Sequence, residues 1–221
     1  MKRIYDISPV ISERIGVFPG DVSFRRNVSL EFSKGHNLVL SSIQTTLHLG
    51  AHADGPNHYS KTGEGIGARD VSLYFGSCLV VHAIAVRGTR VSREHLGDEY
   101  QKPGAFKGVK RVLVKTGSFP DPDHWNSDFS SFDPKFIEEL ANEGVKLIGI
   151  DTPSIDPEDS KDLPSHAAVA KHDLAILEGI ILDKVPEGKY TLLALPLKLE
   201  NADAAPVRAI LIDDAGKAFS N

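Results

Sequence analysis

Leu47–Tyr59 reads LHLGAHADGPNHY, placing His48, His52, Asp54 and His58 within eleven residues, punctuated by Gly50, Gly55 and Pro56. An extended strand would turn all four groups to one side. Four extended residues already span roughly 13 Å, too far for one ion. A single helix fails too, because Asp54 lies about 200° round from His52 at 100° per residue. Glycine and proline permit a third arrangement, a strand end turning into a tight loop on which the polar groups converge. Such convergence suits a metal centre. The competing reading is a histidine-rich loop open to water, or imidazoles satisfied by backbone carbonyls. Zinc sites of the cysteine type are excluded, since Cys78 is the only cysteine.

Outward from this loop toward the N-terminus, Leu38–Leu47 is β-rich and delivers the chain into it. Val22–Phe32 carries Val22, Phe24, Val28, Leu30 and Phe32 at even positions and predicts a strand, and Arg3–Ile11 predicts a first one. On the other side, the polar loop KTGEGIG at 61–67 lacks the further glycines of a phosphate-binding fingerprint. The second half alternates α and β. Strands are predicted over Cys78–Val86, Arg111–Lys115, Lys146–Ile150, Ala175–Leu182, Tyr190–Leu195 and Val207–Ile212. Asp133-Pro134 opens a helix as cap and first residue, with Phe136, Ile137, Leu140 and Ala141 on one face and Gly144 as its stop. A shorter helix runs from a Ser165 cap through Lys171. With no repeat and no linker, residues 1–221 predict one mixed α/β domain.

Composition narrows the function. At 41% hydrophobic and 25% charged residues, the chain reads as an ordinary globular protein. A net charge of −5 gives no reason to expect nucleic acid, and no basic amphipathic face suits a membrane surface. The start, MKRIYDISPVIS, has no long apolar region and does not read as a signal peptide. The run CLVVHAIAV at 78–86 is far too short to cross a bilayer. One cysteine allows no internal disulfide, and the expectation is a cytoplasmic protein.

Glu178 looks out of place inside LAILEGIILD. A buried carboxylate costs several kcal/mol unless paired or bound to a cation. The alternative is an edge position beside Gly179 that keeps it wet. His166, after Ser165, is either a surface histidine or a second contributor to the site. His82 reads as a core histidine satisfied by its surroundings, and His36, His95 and His124 as surface residues. His172 is a candidate to stand behind the ligands. Asp156, Glu158, Asp159 and Asp162 read as a solvated loop, since they lack the spacing calcium needs.

The loop HLGAHADGPNH resembles the H-x-G-[TA]-H-x-D-x-P-x-H signature of the metal-dependent cyclase-type amidohydrolase family. The likeness extends along the chain through YDISPVIS, VFPGD, GIDTPSIDP at 149–157, LAILEGIILD at 174–183 and ALPLKLENADAAPVRAIL at 194–211. Ala51 and the LAILEG segment incline it to the arylformamidase branch. The resemblance implies a swivelling β/β/α fold, usually a homodimer. It implies His48, His52 and Asp54 as ligands of a first metal, with Asp54 bridging to a second. His166 and Glu178, twelve residues apart, are implied as the remaining ligands. His58 is implied for acid–base work, and Phe18 for the substrate pocket, where many relatives carry Trp.

Three imidazoles and two carboxylates suit two Zn²⁺ and tolerate Mn²⁺. The resemblance implies hydrolysis of a small-molecule substrate, N-formyl-L-kynurenine, to L-kynurenine and formate, and the ligand set suits water activated at the metals. His58 would transfer the proton that the departing anilide needs. No serine or cysteine nucleophile signature is visible, which favours direct attack by water. Two alternatives stay open: the same metals acting on another aryl or cyclic amide such as isatin, and a metal-binding protein without activity.

Overall fold

A computed structural model describes residues 3–84 and 87–213. Its strands are β1 (Ile4–Asp6), β2 (Arg25–Leu30), β3 (Leu40–Gln44), β4 (His52–Asp54), β5 (Phe75–His82), β6 (Arg90–Val91) and β7 (Arg111–Lys115). They continue with β8 (Ser131–Phe132), β9 (Leu147–Ile150), β10 (Ala175–Glu178), β11 (Gly188–Leu193), β12 (Ala204–Pro206) and β13 (Ile210–Asp213). The α-helices are α1 (Asp98–Gln101), α2 (Pro134–Asn142) and α3 (Pro164–His172).

Nine strands form one mixed sheet in the order β1-β13-β11-β5-β7-β9-β10-β4-β12. The pairs β5–β7, β7–β9 and β9–β10 are parallel, while the strands outside this block pair antiparallel. Parallel strands are covered on both faces, so their sequences run apolar without alternation. VLV in β7 and LIGI in β9 do this, and all of these residues are buried. On one face Val112, Val114, Ile148, Ile150 and Ile176 pack against Phe136, Ile137 and Leu140 of α2 and Ala168 and Val169 of α3. On the other, Val80, Leu113, Leu147 and Leu177 pack with Ile7, Ile66, Tyr74 and Leu182. This is the mixed α/β architecture expected from the sequence.

α2 begins as its sequence dictates: the Asp133 carboxylate accepts the Lys135 N–H, and Pro134 opens the helix. α3 does not. Ser165 lies inside its first turn rather than at its cap, and the Asp156 carboxylate accepts the N–H groups of Ser165 and His166 there. Asp156 is therefore fully buried, correcting the reading of a solvated acidic loop. Other strands are trimmed. The first ends at Asp6 instead of Ile11, before Pro9, and the strand at 175 ends at Glu178 because Gly179 turns left-handed with φ +63°. β5 starts earlier than expected, at Phe75, and residues 85 and 86 of that expected strand lie outside the described residues. β2 and β3 pair only with each other and are exposed on both faces. The even-position pattern of 22–32 thus marks a hairpin away from the core.

Candidate metal centre

The site forms where the parallel block meets its antiparallel edge. β4 lies between β10 and β12, with Glu178 opposite His52 and Ala204 opposite Asp54. A strand of three residues is what the glycines around it permit. After His52 and Asp54 the chain enters a single 3₁₀ turn, Pro56–His58, which swings His58 back toward the strand. Gly179 makes the crossing close: a Cβ added there would stand 2.1 Å from the Gly50 carbonyl oxygen. A side chain at Gly179 is excluded by that approach, and the carboxylate of Glu178 is brought beside the imidazole of His52.

Ligand-type atoms of His48, His52, Asp54 and Glu178 all lie within 4.8 Å of one another, and so do those of Asp54, His58 and His166. Asp54 belongs to both of these, and His48, His58 and Asp203 form a third such group. His52 Nε2 stands 3.1 Å from Glu178 Oε2 and 3.4 Å from Asp54 Oδ1. His48 Nδ1 is 3.1 Å from Asp54 Oδ1, and His166 Nε2 is 3.6 Å from Asp54 Oδ2 and 3.9 Å from Glu178 Oε1. His52, Asp54, His166 and Glu178 are buried. Yet among the described residues His52 Nε2 and both Asp54 oxygens have no properly aligned hydrogen-bond partner. Buried polar atoms left this way cost free energy, and convergent orphaned donors of nitrogen and oxygen type fit a divalent cation.

The backs of the rings are held. His52 Nδ1 is 2.9 Å from the Gly50 carbonyl oxygen and donates to it, which leaves Nε2 with its lone pair facing the cluster. His166 Nδ1 is 2.8 Å from Asp156 Oδ2, leaving its Nε2 to face Asp54. His48 Nε2 is 3.1 Å from Asp203 Oδ2. Such outer partners fix ring orientation at metal sites. Sequence reasoning missed both carboxylates. Asp156 has a signal in GIDTPSIDP, ten residues before His166, but Asp203 reaches the site only through the pairing of β12 with β4. His172 closes the far end of α3 and belongs to none of these groups.

Burial opposes charge on His48, but Asp54, Glu178 and Asp203 outweigh it and raise its pKa to about 9. Burial likewise opposes charge on His166, and Asp156, Asp54 and Glu178 raise it to about 10. Burial pushes the Asp54 carboxyl up, yet His166, His48 and His52 hold it well below the usual range. His58 goes the other way: burial, then the cationic His48 and His166, depress it against the pull of Asp54 and Glu178.

A cavity of about 430 Å³ borders the cluster, lined by His48, His58, His166 and Glu178 together with Phe18, Trp125 and Glu158. Phe18 and Trp125 meet edge to face with ring centroids 5.4 Å apart. Trp125 was not singled out from the sequence, although it is the only tryptophan.

Residues 5–157 match the family model described as putative cyclase. The chain belongs to this family. Among curated cyclase relatives, "Kynurenine formamidase" of Bordetella pertussis is 46% identical over 212 residues, covering 96% of this chain and 98% of that protein. Its namesake in Delftia acidovorans is 43% identical over 210 residues, covering 95% and 97%. A solved structure titled as a potential metal-dependent hydrolase with cyclase activity superposes with a TM-score of 0.79 at 25% identity, covering 96% of this chain and 98% of the other. Isatin hydrolase A from Labrenzia aggregata shares the fold, with a TM-score of 0.78 at 19% identity over 96% and 93% of the two chains.

Proposed function

We propose that this chain hydrolyses N-formyl-L-kynurenine to L-kynurenine and formate. The observation that carries the reading is the set of orphaned, buried ligand atoms on His52 and Asp54, grouped with His48, His58, His166 and Glu178, which line a cavity shared with Phe18 and Trp125. Curated relatives of the same length that bear the formamidase name support the substrate. His48, His52, Asp54, His166 and Glu178 would hold two divalent cations with Asp54 shared, zinc by preference and manganese by tolerance. Bound there, the cations supply Lewis acidity and lower the pKa of a water toward neutrality.

The chain's own residues do the rest. Phe18 and Trp125, which line the cavity, would pack against the aryl ring. Hydrolysis adds water to the formyl carbon and breaks the C–N bond, with the electron pair leaving on nitrogen. An anilide leaves poorly unless it gains a proton. His58, kept neutral by burial, accepts the proton that water gives up and returns it to that nitrogen. The products are the free arylamine and formate. The reading carries with it a homodimer in the cytoplasm.

Isatin hydrolysis is the second reading, and only the shared fold favours it. Turnover of the two substrates by the metal-loaded protein separates them. The proposal expects a much larger kcat/KM for N-formyl-L-kynurenine, and preference for isatin would sink it.

A further inference from the structure

We propose that Glu158 is the specificity determinant of this pocket and receives the cationic ammonium group of the substrate. The inference rests on the hydrolase reading and narrows it to aryl amides that carry an ammonium. Glu158 lies half-buried between β9 and α3, in the wall of the cavity of about 430 Å³. Its Oε2 accepts the indole N–H of Trp125 at 2.6 Å, the one hydrogen bond it makes among the described residues. A carboxylate has about four lone-pair sites, so most of its acceptor capacity is unused.

Trp125 is itself fixed, packed edge to face against Phe18 and against Phe119 at 5.7 Å. The carboxylate is thus held at a set place relative to the ring faces. None of the described residues lining the cavity is lysine or arginine, while Asp21, Glu158 and Glu178 bring carboxylates, Glu178 within the ligand cluster. A half-buried carboxylate beside apolar rings loses solvation that a ligand cation restores, through a charge-assisted hydrogen bond. An aryl formamide held formyl-first toward His58 and Glu178 leaves its side chain to the rest of the cavity wall, which includes Glu158. An ammonium there meets Glu158, an uncharged analogue finds no partner, and a purely anionic one is repelled.

The competing role is that Glu158 only positions Trp125. Glu158→Gln separates the two, because the amide oxygen still accepts the indole N–H while the charge is gone. The single tryptophan lines the pocket, so its fluorescence reports binding without turnover. Wild type and variant are titrated with L-kynurenine and with 2-aminoacetophenone, the same aryl ketone lacking the amino-acid group. Wild type should prefer L-kynurenine by about tenfold or more, the margin of a hydrogen bond to a charged group. The variant should lose that margin and keep its affinity for 2-aminoacetophenone. In turnover, KM for N-formyl-L-kynurenine should rise while kcat holds, with formanilide unaffected. Equal weakening of both ligands, or weakening of neither, overturns the proposal. A wild type that prefers the ammonium ligand yet releases no formate would sink the formamidase reading while supporting the role of Glu158.

Discussion

His58 stands with its ring 4.2 Å from that of His48 and 5.9 Å from that of His166, centroid to centroid, and its side chain is 34% exposed. It is near enough to the cluster to ligate and open enough to meet a substrate. His58→Ala distinguishes these roles. As the proton carrier, its loss should cut kcat by about 10²–10⁴-fold with metal content unchanged; a matching loss of metal would make it a ligand. Asp156 acts one shell further out, through His166 Nδ1 and the first turn of α3. Asp156→Asn keeps the shape and removes the charge. Metal affinity, read by competition with a chelating dye, should fall about 10–100-fold. Unchanged affinity would show that the imidazole needs no such support.

At the scale of elements, the site depends on two strands meeting where a side chain would not fit. Gly179 is left-handed, and its Cα approaches the Gly50 backbone. Gly179→Ala adds a penalty of about 1–2 kcal/mol for the backbone conformation alone, with the steric clash on top. The melting temperature should fall and metal binding with it, whereas an unaltered melting curve would contradict the crossing described. Much of this was legible in advance: the apolar runs of β7 and β9, the Asp133-Pro134 helix start, and the convergence of His48, His52 and Asp54 on a turning strand. Each is a local consequence of residue chemistry. What the sequence did not reveal depends on long-range pairing. β12 is a three-residue strand with no period to read, and it alone brings Asp203 to His48. Asp156 sits among acidic residues that look solvated until α3 docks its N-terminus onto it. The alternation over 22–32 marked a strand, and β2 is one, but it carried no sign that the hairpin lies outside the main sheet.

At the scale of the whole molecule, stability and metal binding share the same protons. His48 and His166 have pKa values raised from 6.5 to about 9 and about 10 in the metal-free fold. A raised histidine contributes stability that is complete below its unfolded pKa and is lost as pH climbs through the folded value. Metal-free protein should therefore lose this contribution between about pH 6.5 and 10, while cations bind more tightly as those protons leave. The gap in melting temperature between loaded and metal-free protein should widen from acid to alkaline pH, and calorimetry of both forms would show it. A constant gap would mean that the cations do not bind at these imidazoles. The most direct test of the central claim is kynurenine release from N-formyl-L-kynurenine, followed by absorbance before chelation, after it, and after zinc or manganese is returned. The account predicts release that the chelator abolishes and either metal restores. Release that survives full removal of metal, or none from protein shown to be loaded, would contradict it.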